Sequence, residues 1–191
     1  VLEQAGATLL DCPLSGTGAQ AEKRELVILA SGDEASWERC QPIFDAIGRA
    51  TYYLGPFGAG TKMKLVANLL VAIHNVSAAE AFVMGMKSGL DPALMYKVIA
   101  DSAATSRMLE IRGPMMVEGE YEPATMKLGV FQKDISIIRE FAQKFGSPTP
   151  LLDASANIYD QANAKGWQDW DTGAVCAVLE ELAGVVRGGG G

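Results

Sequence analysis

Lys64 and Asn68 stand four residues apart near the start of a long apolar run, GAGTKMKLVANLLVAIHNVSAAEAFVMGMKSG, Gly58 to Gly89. On a helix that spacing puts an amine and an amide on one face. Burial disfavours the charged form of a lysine, and an amine able to shed its proton near neutral pH is a general base. The same lysine also reads as a surface residue, its stem packed and its ammonium in water. Asn68 alone reads equally as a local hydrogen-bonder, and Lys62 points elsewhere around the helix as a solvated residue.

Ser15-Gly16-Thr17 is a loop of small residues after an apolar run, able to offer backbone N–H groups and a hydroxyl to an anion. An ordinary turn has the same composition. Lys133-Asp134 lies between Val130, Phe131 and Ile135, Ile137, Ile138, a helical pattern in which adjacent charges do not face each other. Each then has its own partner, or both are solvated.

His74 is the one histidine, which excludes a histidine metal cluster and argues against Ser-His or Cys-His triads. Cys12, Cys40 and Cys176 are scattered without metal-type spacing, so no metal is assigned. An odd, sparse set of thiols suits a reducing, cytoplasmic compartment. Gly16 to Ala21 spells G-x-G-x-x-A, but only Glu22 to Glu25 separate it from the next strand-like run. A dinucleotide loop needs a helix and a crossover of at least about 10–12 residues there. GAGTKM, Gly58 to Met63, opens a helix but no βαβ unit continues from it.

These groups need elements to hold them. Ala7–Cys12, Leu26–Ala30 and Thr51–Leu54 read as short buried strands. Ser31-Gly-Asp-Glu34 has capping-box spacing, predicting a helix to Ile47 that Gly48 closes. Gly58 to Gly89 contains no proline and predicts a helix of roughly 40 Å. Leu65, Val66, Leu69, Leu70, Val71, Ile73 and Val76 cover most of its circumference, the pattern of a buried helix. Further helices are expected from Asp91-Pro92 to Ala103, Ser106 to Val117 with a break at Gly113-Pro114, Pro123 to Phe145, Pro150 to Ala164 and Asp171 to Val186. Gly188–Gly191 reads as a flexible tail.

The fold expected is α+β: a small strand-bearing piece, 1–56, and an all-helical piece, 58–187. The net charge of −7 comes without a basic run, which argues against nucleic acid or an anionic membrane as partner. Asn68, His74, Asn75 and Glu80 interrupt the central apolar run, which argues against a membrane span.

Three motifs in order resemble the β-hydroxyacid dehydrogenase family, the 3-hydroxyisobutyrate and 6-phosphogluconate dehydrogenase relatives. DCPLSGTGAQAEKREL is similar to its substrate loop, GAGTKMKLVANLL to its catalytic segment, and FQKDISI to its late Lys-Asp segment. The resemblance extends over nearly the whole chain. It implies the trailing strands of a Rossmann-type domain followed by a helical domain. It implies NAD or NADP as cofactor and a small 3-hydroxyacid, 3-hydroxyisobutyrate-like, as substrate. By it, Ser15, Gly16 and Thr17 hold the substrate carboxylate, Lys64 is the acid/base, Asn68 orients the reacting oxygen, and Lys133 with Asp134 lies beside the cofactor.

The sequence departs from the family in three ways. Thr17 replaces a glycine that usually follows in the loop, and Met126 occupies a region where an aromatic is common. Related imine reductases generally lack the lysine, so Lys64 argues for a hydroxyacid. In the family a half bearing G-x-G-x-x-G precedes the substrate loop, so the sequence is expected to be the back portion of such an enzyme, inactive and poor at binding cofactor alone. A reading from another class is a non-catalytic helical assembly module derived from this family. Under either reading, extensive apolar helical surface is expected to join copies into a homo-oligomer.

Overall fold

A computed structural model describes residues 6–187, so the expected glycine tail lies outside the described residues. The chain divides into two compact units, residues 1–67 and 68–191, with the division inside one helix.

The first unit is built on β2 (Leu26–Ala30), four of whose five residues are buried. It pairs in parallel with β3 (Gly48–Tyr53), and α2 (Glu34–Ile47) makes the connection between them. On its other side β2 takes β1 (Leu14–Ser15) antiparallel, Leu14 opposite Ile28 and Ser15 opposite Val27. A five-residue helix, α1 (Gly18–Glu22), follows β1. Ile28, Ala30 and Phe44 form the core, with Leu10, Cys12, Trp37 and Cys40 packed against it. Trp37 stacks on Tyr53 at 5.0 Å, tying α2 to β3.

Three sequence expectations fail here for tertiary reasons. Ala7–Cys12 is not a strand: only Asp11 makes a bridge, to Ser31, and Leu9 is exposed. The ladder runs out at Ser31, because the chain turns at Gly32 into the Asp33 cap of α2 and leaves no strand opposite the residues before Asp11. Nor does Ser31 cap α2. Asp33 does, its carboxylate accepting the Ser36 N–H at 2.8 Å, while Ser31 is fully buried and bonded elsewhere. The third strand begins at Gly48, earlier than Thr51, because Leu26 finds its partner there.

Helix α3 (Ala59–Lys87) runs for 29 residues through the division between the units. It is long and apolar enough to cross a membrane by length and composition alone. Within the second unit, however, Ala72, Asn75, Val76, Ala79 and Phe82 are buried in protein. Its apolar surface is not covered all round, since Leu70 and Met84 remain exposed.

The second unit continues with α4 (Pro92–Ala100), α5 (Arg107–Glu118), α6 (Leu128–Lys144), α7 (Pro150–Ala164) and α8 (Val175–Ala183). Asp91 caps α4 by accepting the Ala93 and Leu94 N–H groups, but α4 ends three residues short of Ala103. Helix α5 passes through Gly113-Pro114 unbroken. Pro114 has no N–H for the Glu110 carbonyl one turn back. The Tyr96 hydroxyl from α4 donates to that carbonyl instead, at 3.1 Å, and the Tyr96 ring lies over Gly113.

Helix α6 starts at Leu128 instead of Pro123, and the segment from Asp171 begins with a 3₁₀ turn, Thr172–Ala174, leaving α8 nine residues that end before Gly184. One carboxylate bonds at both starts. Asp171 accepts the Thr125 and Met126 N–H groups at 2.8 and 3.0 Å and the Gly173 N–H at 2.9 Å, tying the approach to α6 to the 3₁₀ turn. Arg112 of α5 completes this buried knot, with Nε 2.8 Å from Asp171 and both side chains nearly inaccessible. Burial alone pushes the Asp171 carboxyl up, but the Arg112 charge and these hydrogen bonds outweigh it and hold it below its ordinary value.

Candidate active site

Helix α3 begins without a local cap: Pro56-Phe57-Gly58 offers no side-chain acceptor for the first amides. Residues distant in sequence supply them. The Gly60 N–H donates to Ser31 Oγ at 3.0 Å, and the Thr61 N–H donates to Asp11 Oδ2 at 2.8 Å. The Thr61 hydroxyl donates to Asp11 Oδ1 at 2.7 Å, and the Ser31 hydroxyl to Asp11 Oδ2 at 3.0 Å. Only glycine fits at position 60, because a Cβ there would lie 2.2 Å from the Leu29 carbonyl oxygen.

Burial raises the Asp11 carboxyl, but the bonds from Thr61 and Ser31 prevail and hold it below the ordinary carboxylate value. A carboxylate at a helix N-terminus also meets the favourable end of the helix dipole.

One turn along α3 from Gly60, Lys64 is half-buried, and its Nζ donates to the Leu14 carbonyl. That carbonyl lies one residue before Ser15. The structure therefore brings Lys64 to the stem of the Ser15-Gly16-Thr17 loop.

The loop has its own order. Ser15 is half-buried at the end of β1, and Thr17 caps α1. The Gln20 carboxamide oxygen accepts the Thr17 N–H at 2.9 Å and its hydroxyl at 3.4 Å. An anion approaching the Thr17 amide has to displace Gln20.

Asn68, one turn beyond Lys64 on the same helix, is half-buried. In the second unit its Nδ2 donates to Asp134 Oδ2 at 3.3 Å. This leaves one N–H of the carboxamide for another acceptor. Asp134 is half-buried on α6, while neighbouring Lys133 is exposed, in keeping with adjacent helical residues facing apart. The structure thus pairs Asn68 with Asp134 but does not bring Lys133 into that bond.

The G-x-G-x-x-A sequence does not fit a pyrophosphate. β1 runs antiparallel to β2, and α1 is too short for a crossover. Gly16 takes φ +144°, and the space a Cβ would fill is already occupied by Leu26, 2.7 Å away. Asp134, paired with Asn68, and the exposed Lys133 offer a carboxylate acceptor and an ammonium donor on neighbouring positions of α6.

Asp11, Ser31 and Gln20 are the contributors that sequence reasoning missed. Ser31 carried a capping-box signal for the wrong helix, and Asp11 sat at the end of an apolar run. Neither spacing points to a helix start 29 residues from Ser31 and 50 from Asp11.

Residues 58–179 match the family described as NAD-binding of NADP-dependent 3-hydroxyisobutyrate dehydrogenase. Residues 1–55 match the NAD binding domain of 6-phosphogluconate dehydrogenase. The chain is 33% identical over 183 residues to L-threonate dehydrogenase of Haemophilus influenzae, covering 95% of this chain and 60% of that protein. It is 32% identical over 179 residues to glyoxylate/succinic semialdehyde reductase 2, chloroplastic, of Arabidopsis thaliana, covering 94% of this chain and 50% of that one. The crystal structure of 3-hydroxyisobutyrate dehydrogenase from Salmonella typhimurium superposes with a TM-score of 0.84 at 30% identity, over 92% of this chain and 62% of that one. The chain thus spans half to three-fifths of the length of these curated relatives.

Proposed function

Because the chain belongs to the β-hydroxyacid dehydrogenase family, we propose that its gene product oxidises a small 3-hydroxyacid, 3-hydroxyisobutyrate-like, with NAD or NADP. The observation that carries this reading is the bond from Lys64 to the Leu14 carbonyl, which anchors an amine beside the Ser15 loop. When bound, the nicotinamide supplies the hydride acceptor. Lys64 takes the hydroxyl proton at Nζ as the carbinol carbon loses hydride, and returns it in the reverse direction. Ser15, Gly16 and Thr17 receive the substrate carboxylate, with Gln20 swinging away from the Thr17 amide. Asn68 donates its remaining N–H to the reacting oxygen, held in orientation by Asp134. Lys133 and Asp134 are assigned to the nicotinamide end of the cofactor.

The test is Lys64→Ala in the complete gene product, followed by reduced-cofactor absorbance with NAD and NADP against L-threonate, 3-hydroxyisobutyrate and related acids. Loss of an acid/base group lowers kcat by about 10²- to 10⁴-fold. Near-parent turnover by a folded Lys64→Ala protein would remove the role.

Assembly through the helical unit belongs to the same proposal. Met84, Leu90, Leu94, Val98 and Leu182 are all more than half exposed there, an apolar surface suited to a second copy. The three unpaired cysteines suit a cytoplasmic setting.

A further inference from the structure

We propose that Asp11 is a positioning residue for Lys64, holding the amine in register with the substrate loop by capping α3 from a distance. The inference rests on the acid/base reading of Lys64 given above.

Asp11 lies three residues before Leu14, and Thr61 lies three residues before Lys64. The carboxylate joins the first of each pair, through both the N–H and the hydroxyl of Thr61. The lysine joins the second of each pair, through the Leu14 carbonyl. Two short segments are thereby clamped at both ends.

The clamp is itself fixed to the sheet. The Asp11 and Ser31 backbones exchange N–H···O bonds at 2.9 and 2.8 Å, and the Leu29 N–H donates to the Pro13 carbonyl at 3.0 Å. The Ser31 hydroxyl links Asp11 to the Gly60 amide, and Gly60 lets α3 approach the backbone of β2. Helix start, strand and loop stem therefore share one hydrogen-bonded centre, with Asp11 in it. A cap with only a stabilising task could have been local, as Asp33 and Asp91 are for α2 and α4. This one comes from the segment that leads into the substrate loop. The same residue that starts the helix thus also fixes where the loop lies against Lys64.

Loosening the clamp leaves the groups present but misplaced, which slows proton transfer more than it weakens binding. The variants are Asp11→Asn, Thr61→Val, which keeps the amide but drops the hydroxyl, and Thr61→Ser, which keeps both. They are made in the complete gene product beside Lys64→Ala. Turnover is measured with NADP and whichever of 3-hydroxyisobutyrate and L-threonate the parent oxidises.

Asp11→Asn and Thr61→Val are expected to lower kcat by about 10-fold or more while KM stays within about twofold, with Thr61→Ser restoring parent kcat. The solvent deuterium isotope effect on kcat rises in the two impaired variants, a change that lost stability alone does not produce. Folded Asp11→Asn and Thr61→Val proteins with parent kcat and isotope effect, beside an inactive Lys64→Ala, would overturn the positioning role and leave the acid/base reading intact. An active Lys64→Ala protein removes both. Should Asp11→Asn not fold, Thr61→Val against Thr61→Ser decides.

Discussion

Replacing Asp171 with alanine tests the account of the helical unit most severely. Its carboxylate accepts from Arg112 Nε at 2.8 Å, from the Thr125 N–H and hydroxyl at 2.8 Å each, and from the Met126 and Gly173 amides at 3.0 and 2.9 Å. Asp171 is fully buried, and the Arg112 side chain is 4% exposed. Removing the carboxylate strands a guanidinium, at a cost of about 3–5 kcal/mol for a buried pair broken on one side. It also orphans three amides at about 1–3 kcal/mol each, although local rearrangement and water recover part of that. A loss of at least about 4 kcal/mol is expected, a large part of the roughly 5–15 kcal/mol that holds a domain.

The assay is urea unfolding followed by tryptophan fluorescence, Trp170 being the residue before Asp171. With an m-value of about 2 kcal/mol per M, the midpoint should fall by about 2 M. Asp171→Asn should fall less, because it keeps an acceptor for part of the set. A midpoint shift below about 0.5 M in Asp171→Ala would refute the claim that this knot holds the helical unit together.

The knot also sets a pH dependence. The Asp171 carboxyl lies below its ordinary value when folded. Its contribution is therefore fully present above the unfolded pKa of about 3.9 and disappears as pH falls through the folded value. Parent stability should drop on acidification below about pH 4, and that part of the slope should be missing in Asp171→Ala.

Other outcomes follow from single contacts. Gly60→Ala should destabilise the first unit by about 1–3 kcal/mol or more in thermal or urea unfolding, because its Cβ meets a backbone oxygen that cannot give way. Tyr96→Phe should cost about 0.5–1.5 kcal/mol, and less in a Pro114→Ala background, where the Glu110 carbonyl regains a helical N–H. A double-mutant cycle with no coupling between those two sites would dismiss the repair of α5 by Tyr96. Cys176 is buried, its thiol donates to Glu180, and burial pushes it up to about 12. Iodoacetamide at pH 8 followed by peptide mass spectrometry should therefore leave Cys176 unmodified until urea unfolds the chain.

Local pattern was legible where the physics was local. The Leu26–Ala30 run, the Asp91-Pro92 start, the proline at the head of α7 and the long proline-free stretch of α3 each follow from neighbours within one turn or one strand. So do the candidate groups themselves: Lys64 and Asn68 share a helical face by spacing, and Ser15 with Thr17 forms a small-residue loop by composition. The order of those motifs also carried the family.

What the sequence could not contain is the set of bonds made by side chains far from their own element. Ser31 has the spacing of a cap for α2, yet it serves α3. Asp11 ends an apolar run that looks like a strand, yet its carboxylate starts a helix fifty residues later. Asp171, placed like an ordinary helix cap, also takes the Thr125 and Met126 amides ahead of α6, and Tyr96 rescues a proline on another helix. In each case an orphan backbone donor or acceptor takes the partner that is nearest in space, and only the folded chain decides which residue that is.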